Sequence, residues 1–221
     1  MKIILTIVTP SIASHCIELM ANQAAYAKAR GYEHRIVSEI HWTNLHPSFS
    51  KVWEIHQALE QGYEKIIWAD ADIGFMEQSI DLGDLLTLGY FMAEYQQQNW
   101  LAWKYLCAGL SVWRNCPEAK SFVDEWKECV ELGSPSIEPG KRVIVNYKPW
   151  EQYYQDQMIR DRAYSGIRPC TAAEIGCFAP EIWHDGTIWQ PRYPTVHLAG
   201  DRSWETVERV YREVYAKQVR I

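Results

Sequence analysis

The chain is 221 residues long, with 48% hydrophobic and 23% charged residues, which suits one soluble globular domain with a single core. Its formal net charge is −6 at a pI near 5.7, so the basic surplus of a general nucleic-acid backbone binder is missing. Aromatic content is high, with 11 Trp and 13 Tyr, rings that either fill a core or offer flat faces to sugars and bases.

Ile3 to Val8 is apolar and β-branched and is bounded by Thr9-Pro10, which predicts a buried strand and a turn. The run is too short to span a membrane and no small-residue cleavage site follows it, so a cytoplasmic protein is expected. Its cysteines (Cys16, Cys107, Cys116, Cys129, Cys170, Cys177) form no CxxC and have no His cluster at zinc spacing, and reduced thiols are expected. Ser14 to Arg30 reads as a helix with Ile17, Met20, Ala21, Ala24 and Ala25 on its apolar face and Gly31 as its stop. Glu33 to Ile40 reads as a second strand. Pro47 to Gln61 reads as a second helix, with Val52, Ile55, His56 and Leu59 at helical spacing. Lys65 to Ala69 is a third buried strand, and it stops at Asp70-Ala71-Asp72. This alternation predicts an α/β fold with a mostly parallel sheet flanked by helices.

Further along, Leu85 to Glu94 and Leu106 to Trp113 read as strands. Pro117 to Leu132 reads as a helix with Phe122, Trp126, Cys129 and Val130 on one face. Gly133 to Gly140 reads as a loop, Trp150 to Arg162 as a helix, and Pro169 to Pro194 as irregular. A last helix spans Ser203 to Val219, with Trp204, Val207, Tyr211 and Val214 inward. No repeat or linker divides the chain, so a single domain is expected.

Ligands of open α/β sheets bind beyond the carboxyl ends of the strands, where Asp70 and Asp72 fall. Two carboxylates so close repel unless a cation joins them, and a hard divalent cation shared with substrate phosphates is the natural partner. A haloacid-dehalogenase-like phosphatase uses the same Asp-x-Asp with the first Asp as nucleophile. It places the pair on its first strand, with Thr or Val where this chain has Gly74.

Several segments together carry a resemblance: His46-Pro47-Ser48-Phe49-Ser50-Lys51-Val52-Trp53, Ile66-Ile67-Trp68-Ala69-Asp70-Ala71-Asp72, Cys107-Ala108-Gly109-Leu110-Ser111-Val112-Trp113-Arg114-Asn115, Trp150-Glu151-Gln152 with Asp156-Gln157, and His197-Leu198-Ala199-Gly200. Their order resembles the GT-A glycosyltransferases, in detail the fungal Golgi galactosyl- and mannosyltransferases and plant xyloglucan xylosyltransferases. The resemblance implies a Rossmann-like GT-A fold and transfer of a sugar from a nucleotide-sugar donor, UDP- or GDP-linked, to a carbohydrate or other acceptor, with retention and with Mn²⁺ or Mg²⁺. It implies Asp70, Asp72 and His197 as metal ligands, and Lys51, Asp70, Ala71, Gly109, Arg114 and Gly200 around the donor. It implies a short acidic-Gln pair against the transferred sugar. Both Glu151-Gln152 and Asp156-Gln157 fit, and the apolar Met158-Ile159 that follows favours the latter. The architecture makes Thr9 and Pro10, with Ser38 and Glu39, candidates for the base and ribose. Residues 1–75 would form a nucleotide half, 76–200 a sugar and acceptor half, and 201–221 a terminal helix. Trp53, Trp68 and Trp113 are expected in the core. The rival readings are a non-catalytic sugar- or nucleotide-binding module and a viral enzyme that glycosylates DNA bases; the negative charge argues against nucleic acid.

Overall fold

A computed structural model describes residues 1–43, 45–97, 104–132, 151–162, 166–178, 189–198 and 203–221. The expected loop Gly133 to Gly140, Trp150 and Gly200 lie outside these residues. The elements in chain order are β1 (Lys2–Ile7), α1 (Ile17–Arg30), β2 (Glu33–Val37), α2 (Ser50–Glu60), β3 (Lys65–Ala69), β4 (Ile73–Phe75), α3 (Leu82–Leu85), β5 (Phe91–Gln97), β6 (Lys104–Arg114) and α4 (Pro117–Leu132). They continue with α5 (Glu151–Arg162), β7 (Ile167–Cys170), α6 (Ala172–Ile175), β8 (Cys177–Phe178), β9 (Thr195–His197) and α7 (Trp204–Val210).

The main sheet has the order β2-β1-β3-β6-β5-β7, and a small sheet has the order β4-β9-β8. β1 is parallel to β2 and β3, and β5 to β7; β6 runs against both its neighbours. The sheet is therefore mostly parallel. Its inner strands are apolar on both faces because helices cover both. In β1, Ile3 and Leu5 enter one core with α2, α4 and α5, while Ile4 enters the other with Tyr26 and Ala27 of α1 and Leu82 of α3. A third cluster joins Leu19 and Met76 to Val207, Val210, Tyr211 and Tyr215. Trp68 and Trp113 are buried in the first core, whereas Trp53 is half-buried and stacks on His41 with centroids 3.6 Å apart.

The inward face of α1 differs from the expectation. Ile17, Ala21, Ala24 and Ala25 are exposed, and Leu19, Asn22, Gln23, Tyr26 and Ala27 are buried. The cause is polar. Asn22 Nδ2 donates to the Phe75 carbonyl at 2.9 Å, and Phe75 N donates to Asn22 Oδ1 at 2.7 Å. Gln23 makes comparable bonds to the turn that precedes β4. Amides fully matched to backbone partners can occupy a core that a hydrophobic pattern would assign to alanines.

The last helix also turns differently. After Val210 the chain makes a π-helical turn, Tyr211–Tyr215, then a 3₁₀ turn, Ala216–Gln218. The wider turn brings Tyr215 inward, fully buried, in place of Val214, which with Trp204 is only partly buried. The strand expected from Leu85 starts later, at Phe91, because Gly89 makes a left-handed turn at φ 78°. The stretch expected to be irregular, Pro169 to Pro194, contains the end of β7 and the short elements α6 and β8, and β9 follows it directly.

One irregularity matters for the site. Ala93 pairs with Ser111 but Tyr95 pairs with Leu106, so two steps of β5 (95 − 93) face five of β6 (111 − 106). The surplus of three residues lets the Cys107–Gly109 stretch leave β5 and turn to the carboxyl end of β3. Bulges commonly re-aim strands in this way. Cys16, Cys107, Cys116, Cys129 and Cys170 are free thiols. No helix among the described residues is long and apolar enough to cross a membrane.

Candidate metal and donor site

β3 carries the chain to its carboxyl end and stops. Trp68 Nε1 donates to Asp70 Oδ1 at 2.7 Å, and Asp70 N donates to the Gly109 carbonyl of β6 at 2.8 Å. Ile73 N then donates to the Asp70 carbonyl at 3.0 Å, which closes a tight turn around Asp72. Past the turn, β4 pairs antiparallel with β9 with Ile73 opposite His197, and Leu198 N donates to the Asp72 carbonyl at 3.0 Å. Two stretches far apart in sequence therefore converge. Asp70, Asp72 and His197 each offer a ligand atom, and these atoms lie within 4.8 Å of one another.

The imidazole is held on both sides. His197 Nε2 lies 3.3 Å from Asp72 Oδ1, and Nδ1 lies 3.7 Å from Cys107 Sγ. A metal-ligating histidine usually engages its second nitrogen with a polar partner, which orients the first; here the Cys107 thiol stands in that place. Three observations fit a divalent cation here. Asp72 Oδ1 is buried and makes no well-formed hydrogen bond. Gly109 leaves free the volume that a Cβ would take, 2.4 Å from His197 Cε1 and 3.2 Å from Asp70 Oδ2. Two carboxylates and one imidazole suit a first-row or hard divalent ion.

Behind the cluster lies a buried charge network. Lys51, in the first turn of α2, is 1% exposed. Its Nζ donates to Glu151 Oε1 and to the Ala108 carbonyl, both at 2.7 Å, and stands 3.3 Å from Asp70 Oδ1. Burial opposes the Lys51 charge, but Asp70 and Glu151 outweigh it and hold the ammonium above its ordinary pKa. Burial raises the Asp70 carboxyl, and although Lys51 draws it back and Asp72 pushes it further, the net shift is upward. Asp72 shifts the other way: burial opposes its charge and His197 more than compensates. Correspondingly, burial disfavours the imidazolium, yet Asp72 raises His197 well above its usual range. A cation bound at Nε2 has to displace that proton.

Of the two acidic-Gln pairs, the structure brings Glu151 and Gln152 to the cluster. Glu151 reaches Asp70 through Lys51, and Gln152 Oε1 accepts from Ala108 N at 3.1 Å. Asp156 sits a turn later and accepts from Leu106 N at 3.3 Å; the Gln157 side chain is outside the described part. Ala71 is buried with Val8 and Cys16. Thr9 is buried and Pro10 exposed just past β1, adjacent to that packing, and Ser38 and Glu39 are exposed beyond β2. Arg114 is not brought in: it is exposed at the other end of β6, opposite Lys65, while Leu110 is the residue opposite Ala69. Sequence reasoning missed Cys107 as a partner of His197, although it stands two residues before Gly109. It also missed Asn22 and Gln23, which carry no signal on a helical pattern.

No protein-family profile matches the chain, and no curated protein matches it in sequence. Solved structures do match. A glycosyltransferase involved in the glycosylation of the major capsid of PBCV-1 superposes with a TM-score of 0.67 at 14% identity, over 96% of this chain and 99% of that one. The galactosyltransferase LgtC, solved with donor and acceptor sugar analogs, superposes at 0.57 and 11% identity, over 100% and 97%. The glycosyltransferase GlyE of Streptococcus pneumoniae TIGR4 superposes at 0.53 and 11% identity, over 98% of this chain and 63% of GlyE. The fold is accordingly the GT-A fold.

Proposed function

We propose that the chain is a metal-dependent glycosyltransferase that moves a sugar from a nucleotide-sugar donor, UDP-linked by preference, to a glycosyl acceptor with retention. The observation that carries this reading is the meeting of Asp70, Asp72 and His197 at the end of β3 in a GT-A fold. The narrower likeness to fungal Golgi and plant xyloglucan enzymes rests on the motifs quoted above. Asp70, Asp72 and His197 would hold the cation, and the imidazole nitrogen favours Mn²⁺ over Mg²⁺, which prefers oxygen. Such a cation, when bound, neutralises charge that grows on the leaving diphosphate. Thr9, Pro10 and Ala71 would line the nucleotide, and Gly109, with Gly200 by the family likeness, would let backbone approach the donor. Lys51 keeps Glu151 ionised and fixed beside the cluster.

The test is a panel of UDP- and GDP-sugars read by thermal shift with Mn²⁺. Ligand at 100 times Kd adds about 2.7 kcal/mol. At about 2–4 °C per kcal/mol for a domain of this size, the midpoint rises by about 5–10 °C. Excess chelator should abolish both the shift and the release of nucleoside diphosphate. Release that persists in chelator would remove the metal from the reading. A shift with no donor turnover, with or without sugar acceptors, would make the chain a binding module.

Within that reading, Gln152 takes the place beside the transferred sugar. Gln152→Ala should lower kcat by about 10²-fold, the scale of one lost transition-state contact, with little change in binding of the free nucleoside diphosphate. If Gln157→Ala does this and Gln152→Ala does not, the second acidic-Gln pair is the functional one.

A further inference from the structure

The turn that carries Asp70 and Asp72 is held from below by one side chain of α1. Gln23 is fully buried. Its Nε2 donates to the Asp70 carbonyl at 3.1 Å and to the Ile73 carbonyl at 3.0 Å. Its Oε1 accepts from Thr6 Oγ1 of β1 at 2.6 Å. Only the NH₂ end of an amide can serve two carbonyls, so the orientation of the side chain is forced and the Thr6 hydroxyl is left to donate. The two carbonyls bracket Asp72. With the bond from Asp70 N to Gly109 on the far side, the turn is tied to β1, α1 and β6 at once.

We propose that Gln23 is a positioning residue for the cation site: it sets the Asp70–Ile73 turn, and through it the separation of the two carboxylates. The proposal rests on the metal-site reading above. Asn22 beside it is the natural comparison. It too is buried and makes two backbone bonds, but to Phe75, three residues beyond Asp72 (75 − 72), inside β4. Both amides stabilise the fold, but only Gln23 acts on the turn. Metal–ligand distances fall within about 0.2 Å of their standard values, so a turn that relaxes carries its carboxylates away from them and weakens the site.

The experiment measures Mn²⁺ binding by the folded protein, without donor, from the EPR signal of free Mn²⁺. Gln23→Met keeps length and bulk and removes both donors. It should bind Mn²⁺ about ten- to a hundredfold more weakly, the cost typical of a lost partner behind a metal ligand. Thr6→Val removes only the bond that orients the amide and should weaken binding less than Gln23→Met does, by about tenfold at most, the lower end of the same range. Asn22→Ala should lower the urea midpoint because it loses two buried bonds, and its Mn²⁺ affinity should stay within about twofold of wild type. Equal Mn²⁺ affinity in wild type and Gln23→Met would overturn the proposal while leaving the metal site in place. If Gln23→Met does not fold, unchanged affinity in Thr6→Val overturns it in the same way. Weakening in Asn22→Ala as large as in Gln23→Met would overturn it too, since affinity would then merely follow stability. Wild type that takes up no Mn²⁺ would remove the site and the proposal together.

Discussion

Gly109→Ala is expected to abolish cation binding at the Asp70–Asp72–His197 cluster. A Cβ there would stand 2.4 Å from His197 Cε1 and 2.9 Å from Nε2, closer than any real contact. Something must shift, and the neighbours are poorly placed to do so. His197 lies in β9, is paired through its backbone with β4, and has Cys107 against its other nitrogen. The φ of Gly109 is outside the left-handed region, so the penalty is one of space alone. The methyl displaces the imidazole from the aspartates, and Mn²⁺ affinity should fall by more than about 100-fold, at the upper end of losses seen around metal ligands. The accompanying overpacking should cost about 1–3 kcal/mol, so the variant should still give a cooperative unfolding transition. Calorimetric titration with Mn²⁺ checks the first effect and urea unfolding the second. A folded variant that retains Mn²⁺ affinity would show that His197 is not a ligand.

Lys51→Met should produce the largest loss of stability of any single change near the site, about 3–5 kcal/mol, because it leaves buried charge uncompensated. Glu151 would lose its cation, and its Oε2 already has no hydrogen-bond partner. The Ala108 carbonyl and Asp70 would lose a donor and a counter-charge. The deficit should depend on pH. In the wild type, burial opposes the Glu151 charge and Lys51 overcomes it, so the folded pKa lies below the unfolded value. That contribution is present above an unfolded pKa of about 4.3 and is lost as pH falls through the folded one. In the variant only burial remains, and Glu151 takes up a proton more readily. The gap in urea midpoint between wild type and variant should therefore be widest near neutrality and narrow towards about pH 4. Replacing Glu151 as well, in Lys51→Met/Glu151→Leu, should recover part of the loss. A deficit below about 1 kcal/mol for Lys51→Met would mean that water solvates the network, as it does for surface pairs.

The parts of the fold that were legible in the sequence are those in which apolar spacing alone decides. β1, β3, α2 and α4 fall close to their expected bounds because β-branched runs and helical stripes coincide with burial. The facing of α1 is not legible in this way, since Asn22 and Gln23 are buried for their hydrogen bonds, and a hydrophobic pattern counts them as outward. The π turn rotates the last helix by a geometric device that has no compositional sign. At the site, the Asp70-x-Asp72 pair stood out from its place after a buried strand. The nearness of His197 depended on a strand pairing that the family likeness supplied and local spacing could not. The choice between Glu151-Gln152 and Asp156-Gln157 is not legible in the sequence, because both pairs fit and the apolar Met158-Ile159 favours the second for a reason unrelated to the cluster. Among the described side chains, Glu151 and Gln152 reach the cluster from the first turn of α5, where the helix starts beside the Cys107–Gly109 bulge.

The pairing of Ile73 with His197 also bears on how the chain comes to its native state. It is a contact across 124 positions (197 − 73) between two strands of three residues each. Strands so short hold little by themselves, and contacts so distant in sequence form slowly because the intervening chain must first be gathered in. During synthesis, β1 to β3 and both aspartates emerge long before their imidazole partner. The cluster thus waits on a strand that is made late, and a half-made chain that already carries both aspartates has no third ligand to offer.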